Sequence, residues 1–211
     1  MGKKNIDFKL YLITDRKLIT HYSSLIAVVR QALKGGVRAV QLREKHLETR
    51  ELLKMADKMR DLTRQFNASF FINDRFDIAL AVGADGVHLT QNSIPTAAVR
   101  KAVKKKLLIG VSTHSLKEAG EAEKGGADFI TVGPVYRTPS KLRYGKPMGL
   151  DTLKKITSRM SIPVFAIGGI KSSNIEYIKE AGAYGAAMIR EVLASNNINR
   201  KTKELVNLLG A

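Results

Sequence analysis

The sequence predicts a single-domain (β/α)8 TIM barrel occupying residues 1–211, and three observations predict it. Eight short apolar runs recur along the chain, separated by amphipathic helical patterns. One helix-to-strand turn is repeated: "GGVRAV", "VGADGV", "GGADFI" and "AGAYGA" each place glycine just after a helix and before a strand. The length of 211 residues fits eight βα units with no seam for a second domain. An open doubly wound sheet is the competing architecture, but no G-x-G-x-x-G follows the first strand.

The strands, in order, are "LYLIT", "AVQL", "SFFIN", "GVHL", "LLIGVS", "FITVG", "PVFAIGG" and "GAAMI". They run continuously apolar rather than alternating, as strands covered on both faces do. Stretches such as "SSLIAVVRQALKGG", "TRELLKMADKMRDLTRQF" and "SLKEAGEAEKGG" carry the helical spacing between them. Strict alternation of the two patterns predicts parallel βα units. The repeated glycine is explained by a helix C-terminus in the left-handed conformation, which glycine adopts without steric cost.

Composition narrows the function classes. Hydrophobic residues make up 44% of the chain, with 17 glycines and 5 prolines, as in a folded globular protein. With no cysteine there is no disulfide, Cys-ligated metal or thiol nucleophile. The opening "MGKKNIDFKLYLITDR" lacks the apolar run of a signal peptide, and no stretch reaches the roughly 18–20 apolar residues of a membrane span, so a cytoplasmic protein without a membrane partner is expected. The net charge of +17, from 36 basic and 19 acidic residues, could serve nucleic acid or an anionic small substrate. Much of the excess lies in predicted helices ("KAVKKK", "TLKKITSR", "NRKTKE"), where it reads as a solvated face, so nucleic acid is not the expected partner.

A TIM barrel carries its active site at the C-terminal ends of its strands. Polar residues gather there in strand order. Thr14, Asp15 and Arg16 follow the first strand, and Gln41, Arg43, Glu44 and Lys45 the second. Asn73 and Asp74 end the third, His88, Gln91 and Ser93 the fourth, Ser112 and His114 the fifth. Thr138, Ser140 and Lys141 follow the sixth, Gly168 and Gly169 the seventh, and Arg190 the eighth.

Several of these imply chemistry directly. "AIGGI" before a helix expected near Ser172 would expose backbone N–H groups to a phosphate, with Arg190 able to close on it. Arg43, Lys45 and Lys141 bring three positive charges to one rim, where they repel unless an anion lies between them. With Asp74 beside them, a Mg²⁺-bound pyrophosphate is the economical proposal. Glu44 is expected to orient a lysine or arginine. His88, inside an apolar strand, reads as a structural histidine. His114 is either a loop residue beside the Ser115–Glu118 capping box or a general acid–base. His21 and His46 have no evident partner, and zinc is not expected.

Together "VQLREK", "INDRFDIALAVGADGVHL", "IGVSTHSLKEAGEAEKGGADFITVGPVY", "TPSK" and "PVFAIGGI" resemble the thiamine phosphate synthase family, over nearly the whole chain and in family order. The resemblance implies a transferase of thiamine biosynthesis. It would condense 4-amino-2-methyl-5-hydroxymethylpyrimidine pyrophosphate with thiazole phosphate, giving thiamine phosphate and pyrophosphate. It assigns the pyrimidine pyrophosphate to Gln41, Arg43, Lys45, Asn73, Ser112 and Lys141, and Mg²⁺ to Asp74. Thr138, Ser140, Gly169 and the Ile189–Arg190 segment would hold the thiazole phosphate. Arg43, Ser112, His114 and Lys141 are the candidate catalytic residues, and the partners are phosphorylated small molecules, with a homodimer allowed.

Three positions depart from that pattern. The family usually has a second metal-ligand aspartate at Ser93, a glycine at Thr90 and a serine at Arg190. Thiazole tautomerases share the fold, lack the synthase metal site and use a histidine matching His114. They form the alternative, beside a non-catalytic binder of phosphate ligands. Arg43, Lys45, Asp74 and Lys141 are all kept, which favours the synthase.

Overall fold

In the computed structural model, which describes residues 6–19, 24–138 and 146–210, eight parallel strands close into one barrel in chain order. The strands are β1 (Leu10–Ile13), β2 (Ala39–Leu42), β3 (Ser69–Asn73), β4 (Gly86–Leu89), β5 (Leu108–Thr113), β6 (Phe129–Val132), β7 (Val164–Ile167) and β8 (Gly185–Met188). Each overlaps the apolar run that predicted it. The helices are α1 (Leu25–Lys34), α2 (Thr49–Gln65), α3 (Phe76–Ala81), α4 (Thr96–Val103), α5 (Leu116–Lys124), α6 (Gly149–Thr157), α7 (Ile175–Glu180), α8 (Arg190–Leu193) and α9 (Ile198–Leu209).

The repeated turn has the backbone its glycines implied: Gly36, Gly83, Gly126 and Gly182 all have positive φ, at 102°, 62°, 90° and 81°. A side chain there would strain these four returns from helix to strand.

Strand periodicity divides the core in two. Outward residues such as Leu10, Leu12, Val40, Phe70, Ile72 and Ile130 pack with the helices into one large apolar layer. Inward residues Tyr11, Phe71, Phe129 and Phe165 fill the barrel with Phe8, which enters from below β1. Phe8 lies 5.3–5.8 Å, ring to ring, from all four. Four large rings fit because their neighbours in register are small. Phe71 sits opposite Gly86, Phe129 opposite Gly110, Phe165 opposite Gly185, and Tyr11 between Ala39 and Ala187. A Cβ at Gly86 would stand 2.4 Å from Phe71 Cε1, so the spacing admits no larger residue. Burying each ring contributes roughly 1.5–3 kcal/mol.

Above the aromatic plug the inward positions turn polar: Gln41, Asn73, His88, Ser112 and Thr131, each ending its strand or one residue short of that end. The barrel is thus solid at its base and hydrogen-bonding at its C-terminal mouth.

Candidate active site

The mouth is organised around one carboxylate. Gln41 Nε2 donates to Asn73 Oδ1 at 3.0 Å, and Asn73 Nδ2 donates to Asp74 Oδ2 at 2.7 Å. The other Asp74 oxygen accepts from Ser93 Oγ and, at 3.3 Å, from Thr90 Oγ1. Ser93 is itself fixed, because its Oγ accepts from the Thr90 N–H at 2.6 Å. Asp74 has φ of 61°, a left-handed conformation unusual for a side-chain-bearing residue. Its N–H still donates to His88 O at 2.9 Å, which holds the turn against β4. Four sequence-predicted residues from three loops therefore form one connected chain. Gln41 Oε1, buried, has no hydrogen-bond partner among the described residues.

His88 is neutral. Burial pushes its imidazole down to about 3, with Asp74 opposing and Arg43 assisting, which puts both charges near the ring. Its Nε2 lies 3.0 Å from Ser112 Oγ and its Nδ1 3.4 Å from the Tyr11 hydroxyl. The structural reading of His88 holds, with one addition: the residue it supports, Ser112, is itself a site candidate.

Arg43 is half-buried and Lys45 exposed, and neither has an ion-pair partner among the described residues. Glu44 between them differs from expectation. Among the described residues it orients no cationic side chain: its carboxylate accepts from the Thr14 hydroxyl at 2.8 Å and from the Arg16 N–H at 3.2 and 3.3 Å. Burial raises its pKa, partly offset by those bonds. Nothing in the run "LREK" distinguishes a carboxylate bound to a neighbouring loop's backbone from one paired with a cation.

His114 lies exposed just before α5, with Nδ1 2.5 Å from Gly133 O, to which it donates. Half of the expected capping box forms: Ser115 Oγ accepts from Glu118 N at 3.2 Å, while Glu118 Oε2 accepts from the N–H of His114, one residue before the cap, at 2.8 Å. Across the mouth, Gly168 and Gly169 have φ of 94° and 68°. A Cβ at Gly169 would stand 2.7 Å from Tyr136 Cβ, so the close approach of these two loops requires glycine. The helix expected near Ser172 starts as a 3-10 turn over Ser172–Asn174 and becomes α7 at Ile175. Ile189 caps α8 and Arg190 is its exposed first residue. Thr138 follows β6, while Ser140 and Lys141 lie outside the described residues.

The described residues contain no group of three or more His, Cys, Asp or Glu side chains able to hold a metal. Asp74 with the Ser93 and Thr90 hydroxyls nevertheless forms an all-oxygen donor set. That suits Mg²⁺ when most of its shell is water and substrate phosphate.

A closed parallel barrel with polar groups gathered at the C-terminal ends of its strands is a TIM barrel with the layout of an enzyme site. The family model for thiamine monophosphate synthase matches residues 10–192, and the chain belongs to that family, with relatives named thiamine-phosphate synthase, a transferase. It is 51% identical over 207 residues to a Geobacter sulfurreducens protein provisionally named thiamine-phosphate synthase, covering 97% of this chain and 95% of that one. It is 42% identical to the thiamine-phosphate synthase of Clostridium novyi, covering 97% and 100%. The solved structure of thiamine phosphate pyrophosphorylase from Pyrococcus furiosus superposes with a TM-score of 0.88 at 40% identity, covering 96% of each chain. 3-Hexulose-6-phosphate synthase, at 19% identity and a TM-score of 0.69, shares the fold alone. No helix among the described residues is long and apolar enough to cross a membrane.

Proposed function

We propose that the barrel mouth condenses a pyrimidine pyrophosphate with thiazole phosphate in a Mg²⁺-dependent reaction, with the pyrophosphate on the β2–β4 side and the thiazole phosphate on the β6–β8 side. The observation that carries this is the chain Gln41–Asn73–Asp74–Ser93 beside the cation Arg43, which has no protein counter-ion among the described residues.

The Gln41 carbonyl oxygen, unpartnered among the described residues, would accept from the exocyclic amine of the pyrimidine. Arg43 and Lys45, with Lys141, would neutralise charge gathering on the departing pyrophosphate. Asp74 would hold Mg²⁺, which when bound lends electrostatic stabilisation to that leaving group. The C–O bond to the pyrimidine methylene breaks with its electron pair on pyrophosphate, and the thiazole nitrogen supplies the pair for the new C–N bond. No general base is required. The positive φ of Gly168 and Gly169 and the start of α8 at Arg190 support a backbone cradle for the thiazole phosphate. Fixing the nitrogen against the methylene supplies the entropic part of the catalysis.

One feature supports a second reading. The His114 ring is fixed by the bond of Nδ1 to Gly133 O, which would turn Nε2 to the role of a tautomerase base. Both readings are separated by incubating the purified protein with the two substrates, with and without Mg²⁺, and in parallel with the carboxylated thiazole phosphate tautomer alone. Mg²⁺-dependent thiamine phosphate is expected. Tautomerisation without coupling would overturn the synthase assignment.

A further inference from the structure

The loop after β2 carries two cations of the mouth, Arg43 and Lys45, on either side of a buried acid. Its conformation is fixed from β1. Thr14, fully buried, continues the β1–β2 ladder by donating its N–H to Gln41 O at 2.9 Å. Its hydroxyl then works in both directions: Oγ1 accepts from the Arg43 N–H at 2.9 Å and donates to Glu44 Oε1 at 2.8 Å. Glu44, 7% exposed, completes the tie by accepting from the Arg16 N–H, and Asp15 stabilises that turn by accepting from Lys17 N at 3.1 Å. The carboxylate that the sequence places between Arg43 and Lys45 therefore neutralises neither. Left in the mouth it would cancel part of their charge and repel an anionic ligand; withdrawn under the β1 loop it does neither.

We propose that Thr14 and Glu44 are positioning residues, which hold the Arg43–Lys45 segment in the conformation that binds the pyrophosphate group. The inference rests on the pyrophosphate reading of that rim given above. Thr14 links both strands because its hydroxyl is the only group that touches the Arg43 backbone and the Glu44 carboxylate together among the described residues. Valine in its place fills the same volume and makes neither bond. Serine keeps both.

Inorganic pyrophosphate with Mg²⁺ is the probe, titrated calorimetrically into the full-length protein and its Thr14→Val, Thr14→Ser, Glu44→Gln and Arg43→Ala variants. Thr14→Val, which loses both hydroxyl bonds, is expected to weaken pyrophosphate binding about tenfold, a change of about 1.4 kcal/mol. Thr14→Ser should return to within about twofold of the parent, the bonds being restored. In turnover, Thr14→Val should raise the KM for the pyrimidine pyrophosphate and leave the KM for thiazole phosphate unchanged. A general loosening of the barrel would move both. Glu44→Gln keeps an acceptor for Thr14 and Arg16, and should bind pyrophosphate like the parent or slightly better. It keeps the proposal open to refutation if Thr14→Val folds poorly, because Glu44→Gln binding tenfold weaker would mean the charge rather than the tie matters. Parent-like affinity in folded Thr14→Val, with Arg43→Ala impaired, overturns the positioning role alone. Parent-like affinity in Arg43→Ala instead overturns the pyrophosphate reading itself.

Discussion

Ser93 donates its hydroxyl to the same Asp74 oxygen that accepts from Thr90, so the carboxylate is held by two hydroxyls where a second acid would repel it. In the absence of metal this is the more comfortable arrangement, since neighbouring carboxylates raise each other's pKa and resist ionisation together. With metal the order reverses. Ser93→Asp should lower thermal stability without Mg²⁺ and show a larger upward shift of Tm on adding it, with Mg²⁺ affinity about tenfold tighter from the added charge. Asp74→Ala should lose both the Mg²⁺-dependent shift and thiamine phosphate formation. Unchanged turnover in Asp74→Ala would reject Asp74 as the ligand.

His88 gives a prediction in pH. An unfolded histidine titrates near about 6.5, whereas burial pushes His88 in the fold down to about 3. The folded state therefore binds fewer protons in that interval. Stability tied to this group is complete above the unfolded value and drains away as pH falls toward the folded one. His88→Gln should flatten the acid limb of a plot of urea midpoint against pH between those two values. The His88 ring signals should stay fixed in an NMR titration from neutral pH to the mildly acidic range; a midpoint near that of free histidine would sink the assignment.

The barrel interior makes opposite predictions for two glycines. A Cβ on Gly110 would stand 2.4 Å from Phe129 Cζ and 2.6 Å from His88 Nδ1, with no space to shift inside the plug. Gly110→Ala should cost about 1–3 kcal/mol by overpacking. Gly120, within α5, has nothing within 4 Å of its added Cβ. Gly120→Ala should gain roughly 0.5–1 kcal/mol from helix propensity alone. Denaturant midpoints of the two variants on the same side of the parent would contradict this packing.

These cases mark what a sequence can disclose. The "GVHL" and "SFFIN" runs coincide with β4 and β3, because strands buried on both faces are uniformly apolar and bounded by turn residues. The glycines before β2, β4, β6 and β8 were legible because positive φ selects one residue type. The rim residues followed from strand order, and Gln41, Asn73, Asp74 and Ser93 do meet. Glu44 was misread because its partners, Thr14 and the Arg16 N–H, come from another loop. Phe8 as the barrel plug was invisible for a similar reason. It lies before β1, where no strand periodicity reports which way a ring turns.

The base of the barrel contains a repeat that residue types half announce. "GADG" and "GGADF" each place an aspartate before an even-numbered strand, at Asp85 and Asp128. Each carboxylate accepts from the second N–H of the preceding strand: Phe70 to Asp85 at 2.9 Å, Ile109 to Asp128 at 2.7 Å. Each also pairs with an arginine of an even-numbered helix, Arg60 with Asp85 at 2.6 Å and Arg100 with Asp128. The two latches differ in what remains when the acid is removed. Arg100 also donates to the carbonyls of Gly126, Leu107 and Lys104, so it stays anchored without Asp128. Among the described residues, Arg60 has a buried Nε with no partner, and its guanidinium bonds the side chain of Asp85 alone. Asp85→Ala should therefore cost roughly 2–3 kcal/mol, and Asp128→Ala about 1 kcal/mol less, from stranding one partly buried cation and not the other. Both sites are partly solvated, so added salt should shrink the two costs together and keep their order. Urea unfolding of the two variants at low and high salt measures this directly. Equal costs, or a larger loss at Asp128, would mean the Ile109 and Phe70 backbone bonds set the energetics and the arginines add little.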